Sequence, residues 1–194
     1  MPLDLSRDVV QHFLSNRIDW IRRKQAEMRR AAQMQESALQ SGNEIEILGK
    51  KIRLKESECP GQGSYRTINP ELMEITVAKG SSPAAIIPLL EQVAIETLQA
   101  KIPPLIEQWQ KVIGVQGKEW RLRRMKTRWG SCNPQARRIW LNSELAKKPL
   151  ECLEYVIVHE MVHLLERRHN AHFYRLMDRY LPDWRERRSR LKGS

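Results

Sequence analysis

Apolar positions recur at helical spacing near the start of the chain, where Val9, Val10, Phe13, Leu14, Ile18 and Ile21 form one stripe. A helix is therefore predicted from Val9 to about Leu39, closed by SGN at positions 41–43. The pattern then changes. EIEILGKKIRLK alternates on both sides of Gly49 and Lys50, which predicts a short hairpin, and ELMEITVA reads as another strand. From Ser81 to Gly114 the helical period returns behind a serine cap candidate, with Pro103 and Pro104 expected to kink the helix or divide it in two. EWRLRRM and RRIWLNSEL read as strands joined by the turn-rich WGSCNPQA. Further helices are predicted from about Leu150 to Glu166 and from about Asn170 to Tyr180, where LPDW stops the second. No internal repeat or low-complexity linker interrupts this order. The mixture of elements predicts an α+β chain, with residues 1–80 carrying the first helix and the hairpin region and residues 81–194 carrying the core.

Composition narrows the chemistry. At 194 residues, 41% hydrophobic and 29% charged, the chain is large and apolar enough to bury a core. Its three cysteines, Cys59, Cys132 and Cys152, are odd in number and form no C-x-x-C pair. That argues against a disulfide framework or a four-cysteine zinc knuckle and for a reducing compartment. The start of the chain has no basic segment followed by an apolar run, and no uncharged apolar stretch approaches the roughly 18 residues that a membrane span needs. A cytoplasmic protein without a membrane partner is expected. The net charge of +11 is concentrated in RRKQAEMRR, KEWRLRRMKTRW and WRERRSRLK. Such a field attracts nucleic acid, so contact with DNA through a basic surface is one expectation, although no phosphate-binding loop or zinc-finger spacing sharpens it.

The chemistry is concentrated elsewhere. Four of the five histidines fall in VIVHEMVHLLERRHNAHF, residues 156–173. At its centre is HEMVH, residues His159 to His163. Four positions apart on a helix, the two imidazoles are rotated by about 40° and stacked one turn apart, close enough to meet one ion. Glu160 lies about 60° round the helix from His163, beside the ion without binding it, where it can take a proton from activated water. A zinc site with an open position needs a third protein ligand. His169 is favoured, because it lies beyond the predicted helix end, where a turn folds it back; His172 and Glu166 are the alternatives. An ordinary histidine pair fits poorly with the apolar run YVIVHEMVHLL, since two imidazoles and a carboxylate in a packed helix are costly unless satisfied.

RRMKTRWGSC, IWLNSELAKKP, LEYVIVHEMVHLLERRHNAHF and LPDWRERR occur in an order and spacing that resembles the YgjP-like metallopeptidase domain, a relative of the SprT-like zinc proteases. The resemblance is strong from about Trp120 to Arg188 and looser over the first helix and the hairpin. It implies a zincin-like metalloprotease fold, with the active-site helix packed on a small, mostly antiparallel sheet within the 81–194 core. It also implies Zn2+ as cofactor, His169 as the third ligand and a protein or peptide substrate, DNA-associated proteins among them. WGSC, residues 129–132, is implied to be a tight structural segment near that helix.

Hydrolysis of a peptide bond is thus expected, with zinc on His159, His163 and His169 and with Glu160 as the catalytic base. Arginine, His172 or Tyr174 are candidate oxyanion donors, and Asn142 or Glu144 could orient an imidazole or simply form a polar turn after a strand. Cys132 is read as a small buried hydrophobe and Trp129 as core. The contrasting reading is a zinc-stabilised nucleic-acid-binding module without catalysis. Glu160 argues against it, because a purely structural site has no use for that carboxylate.

Overall fold

The computed structural model describes residues 44–61, 63–82 and 85–193. The predicted helix from Val9 to Leu39 lies outside the described residues. From Ile45 onward the chain forms one compact unit. Its first sheet contains β1 (Glu44–Ile47), β2 (Lys50–Cys59), β3 (Ser64–Asn69) and β4 (Leu72–Ala78), in the order β1-β2-β4-β3. The turn between β1 and β2 is Leu48–Gly49, with φ of 51° and 79°. This left-handed pair suits the two-residue hairpin that the alternating pattern predicts.

A long helix follows, α1 (Ile86–Ile113). It is continuous through Pro103 and Pro104, so of the expected kink or division the division does not occur. Each proline removes a bond to the carbonyl four residues earlier, at Gln99 and Ala100. Those residues and the prolines are exposed, so water can satisfy the freed carbonyls. The opposite face holds the helix together by burying Leu98, Ile102, Ile106 and Trp109.

The second sheet consists of β5 (Glu119–Arg123), β6 (Gly130–Asn133) and β7 (Arg138–Asn142), in the order β5-β7-β6. Here the expectation of a mostly antiparallel sheet is corrected, because both sheets are mixed. β5 runs parallel to β7 and β6 antiparallel to it; likewise β2 runs parallel to β4 and β3 antiparallel to it. In each case a hairpin returns its second strand beside the preceding strand, which leaves the hairpin's first strand at the sheet edge. β6 is such an edge. It also occupies part of the segment expected to be only a turn, the actual turn being confined to residues 134–137.

A short 3-10 helix (Ser143–Lys147) leads to α2 (Leu150–Val162), and α3 (Ala171–Tyr180) and α4 (Trp184–Gly193) complete the chain. Helix α2 is central, touching α1, α3, α4, β6 and β7. Leu153, Val156, Ile157, Val158, Met161 and Val162 are all buried on it, so almost every face is core. The β1–β2 turn abuts the entry to this helix: the Leu48 N–H donates to the Ala146 carbonyl at 2.9 Å. Any side chain at Gly49 would meet Pro149 Cα at 3.1 Å.

Candidate metal centre

Because α2 is packed on nearly all sides, its polar residues are held in place by the core around them. His159 and His163 stand one turn apart with ring centroids separated by 4.9 Å and planes at 89°. The helix ends at Val162, four residues earlier than the sequence predicts, and a turn follows in which the Leu165 N–H donates to the Val162 carbonyl at 2.9 Å. The Glu166 carboxylate then accepts from the Arg168 N–H at 2.9 Å. This reversal returns His169 to the helix, its ring 4.9 Å from that of His159 and 4.6 Å from that of His163. One nitrogen from each of the three imidazoles lies within 4.8 Å of the other two.

The next helix fixes the arrangement from below. Asn170 caps α3 by accepting from the Phe173 N–H at 3.0 Å. Buried Phe173 places its ring 5.0 Å from His159 and 4.7 Å from both His163 and His169. A rigid aromatic floor thus supports all three imidazoles.

Their electrostatics suit a cation. Burial, followed by the charges of His163, His169 and Arg188, pushes His159 down to about 3, so its ring is neutral near neutral pH. His163 is also lowered, again mainly by burial, against the opposing pull of the Glu166 carbonyl 3.0 Å from its Nδ1. When Nδ1–H donates to that carbonyl, the His163 Nε2 keeps its lone pair. The Nε2 atoms of His159 and His169 face each other at 3.0 Å, while His159 Nδ1 is buried without a partner. Three converging imidazoles, two of them with their proton affinity lowered by burial, form a donor set that fits a borderline divalent metal ion.

Glu160 turns toward β6. It is buried, and desolvation pushes its carboxyl up to about 8, with the Arg128 charge opposing. Gly130 permits this position: a Cβ there would lie 2.7 Å from Glu160 Oε1 and 2.8 Å from Val156 Cγ1. Glu160 and the three histidines border one open cavity of about 1040 Å³, whose lining also includes every residue of β6.

The other sequence candidates occupy different places. His172 is exposed and borders neither the cavity nor the imidazole cluster. Tyr174 stacks on Trp184 with ring centroids 5.6 Å apart, away from the cavity wall. Glu166 meets His163 through its backbone carbonyl and not its carboxylate. Asn142 is a buried turn-former: its side chain donates to the carbonyls of Met125 at 2.9 Å and Arg128 at 2.8 Å and accepts from the Met125 and Glu144 N–H groups. Cys132 borders the cavity, but burial and then the Glu160 charge push its thiol up to about 12, which keeps it protonated. Trp129 is half-buried on the cavity wall, with the Lys148 ammonium 5.5 Å from its ring centre.

Sequence reasoning missed Phe173 and Tyr155, and it placed Gly130 near the active-site helix, as part of WGSC, without anticipating the room it leaves for Glu160. Tyr155 borders the cavity with its ring 5.8 Å from His159. Its position was legible as the preceding step of the four-residue ladder Tyr155–His159–His163. Phe173 and Gly130 depend on contacts between elements, which spacing does not encode.

The sequence matches the family model of the YgjP-like metallopeptidase domain across residues 1–194. The chain belongs to that family. This metallopeptidase also resembles a solved structure, the metallopeptidase zymogen of Pyrococcus abyssi abylysin, at 22% identity and a TM-score of 0.43. The similarity covers 46% of this chain and 90% of the other. No curated protein matches the sequence. Membership in a metallopeptidase family implies a metal and a peptide substrate. Among the described residues, no helix is long and apolar enough to cross a membrane.

Proposed function

We propose that this YgjP-like protein hydrolyses peptide bonds with a zinc ion held by His159, His163 and His169, and that Glu160 is its catalytic base. The observation that carries this reading is the convergence of three imidazole nitrogens within 4.8 Å of one another, on the same cavity as a buried carboxylate. When bound there, zinc supplies Lewis acidity, polarising a carbonyl and acidifying water. Glu160 accepts a proton from the attacking water and delivers it to the departing amine. Phe173 and the Glu166 carbonyl hold the imidazoles in orientation. The edge strand β6, with a neighbour on one side only, offers unpaired backbone groups along which an extended peptide can lie across the cavity.

The contrasting module reading predicts metal without turnover, and one substitution separates the two. The Glu160→Gln chain should retain zinc at one ion per molecule yet lose hydrolysis of an unfolded protein mixture by about 100- to 10,000-fold. Equal turnover by both chains would remove Glu160 from the mechanism. Zinc retention without turnover in either chain would favour the module.

A further inference from the structure

The cavity has a one-sided charge that metal-assisted hydrolysis does not require. Arg128, Arg167, Arg188 and Lys192 border it, whereas Glu160 is the single carboxylate among its lining residues. The cations arrive from three separate segments: Arg128 two residues before β6, Arg167 in the turn between α2 and α3, and Arg188 with Lys192 on α4. The last two are four residues apart and share a helix face, an unfavourable like-charge spacing that no ion pair among the described residues offsets. Elsewhere, some cations have carboxylate partners, while others, such as Lys101 and Arg175, form no ion pair among the described residues and are simply solvated. Arg66 meets Glu74 at 2.8 Å, Lys111 meets Glu107 at 2.8 Å, Arg187 meets Asp183 at 2.9 Å and Arg190 meets Glu186 at 2.7 Å. Among the described residues, no carboxylate forms an ion pair with any of the four cavity cations.

All four are exposed, so solvation alone accounts for each singly. It does not account for their gathering around one cleft that holds the hydrolytic residues. The fields of two reach the centre itself, since Arg128 acts on Glu160 and Arg188 on His159. Guanidinium groups present forked donors that match a carboxylate in two-point contact, and a partly enclosed cleft strengthens such contacts relative to open water.

We propose that the cleft selects acidic peptides, with Arg128, Arg167, Arg188 and Lys192 receiving aspartate or glutamate side chains that flank the bond to be cut. This inference rests on the peptide-hydrolysing reading of the same site. The four residues set specificity and take no part in bond breaking. A peptide lying along β6 runs through a cavity bordered by Arg128 and by the α4 cations, so carboxylates near the scissile bond meet opposite charge.

The test uses the zinc-loaded full chain and two quenched fluorescent peptides of identical length. One carries Asp and Glu around the central bond, and the other carries Asn and Gln in their place. The acidic peptide should show a kcat/KM on the order of tenfold higher, mainly through a lower KM, with the ratio shrinking as salt rises. In the double variant Arg188→Glu, Lys192→Glu the preference should vanish or invert. Equal rates on both peptides would overturn the specificity while leaving the peptidase reading intact. If neither peptide nor an unfolded protein mixture is cut, the peptidase reading fails and this inference falls with it. Equal rates combined with equal inhibition of both by a DNA oligonucleotide would assign the cations to phosphate, which also overturns the acidic-peptide assignment.

Discussion

Glu160 and Gly130 form a pair in which each constrains the other. A carboxyl group can remain buried beside β6 only because position 130 leaves room for it, as the 2.7 Å approach of an added Cβ to Oε1 makes plain. Both obstacles to that Cβ are firmly seated, since Val156 and Glu160 belong to the central helix. The Gly130→Ala chain should therefore lose about 1–3 kcal/mol of stability through overpacking. Its kcat should fall on the order of 100-fold as the carboxylate is displaced, with zinc content unchanged because the imidazoles are untouched. Denaturant unfolding, metal analysis and turnover check the three parts separately; wild-type kcat in a folded variant would disconnect Gly130 from the placement of Glu160. The side chains proposed to carry the chemistry were more legible than this support. His159, Glu160 and His163 announce themselves by helical spacing, whereas the space reserved by Gly130 and the floor supplied by Phe173 arise from distant segments meeting.

Among the elements, regular patterns were read well and irregular ones poorly. The β1–β2 hairpin and the stretches containing β4, α2 and α3 follow directly from period and caps. β3 was missed because SYRTIN is almost wholly exposed and has little apolar alternation to reveal it. β6 was missed because Gly, Ser, Cys and Asn lack strand propensity, its position being set by pairing with β7 and packing on α2. α4, which was not anticipated, carries a highly charged sequence and buries only Trp184 and Leu191. What holds it is tertiary. Glu154 on α2 accepts from Trp109 Nε1 of α1 at 3.0 Å and from Arg187 of α4, which also bonds Asp183 at 2.9 Å. Glu154→Ala should consequently cost about 2 kcal/mol, since it removes one acceptor from two donors on different helices. Glu154→Gln should cost less because its amide oxygen can still serve Trp109. An unchanged unfolding midpoint in the alanine variant would show that these bonds contribute nothing net to docking of the helices.

At the scale of the molecule, the centre sets how the metal-free chain responds to pH. Glu160 is raised to about 8 from 4.5, so between those values the folded chain holds a proton that the unfolded chain releases. Its contribution to stability is complete below 4.5 and is lost as pH rises through 8. His159 moves oppositely, from 6.5 down to about 3, and His163 is also lowered. Their contributions are present above 6.5 and are lost as pH falls, because protonation then favours the unfolded chain. The two limbs meet near 6.5, where these groups favour maximum stability of the chelated protein. Glu160→Gln should abolish the fall above that point and raise the midpoint at pH 8 more than at pH 5, while the acid limb persists. Adding zinc should raise the midpoint of both chains by mass action, by about 2.7 kcal/mol of stabilisation at a free concentration one hundred times Kd. Scanning calorimetry of chelated and zinc-loaded samples across this range checks both effects. Identical slopes above pH 6.5 for the two chelated chains would mean that the carboxyl is ionised without penalty in the fold, and the desolvated base would have to be abandoned. An absent zinc effect would instead remove the imidazoles as a metal site, because a ligand that binds only the folded chain must stabilise it.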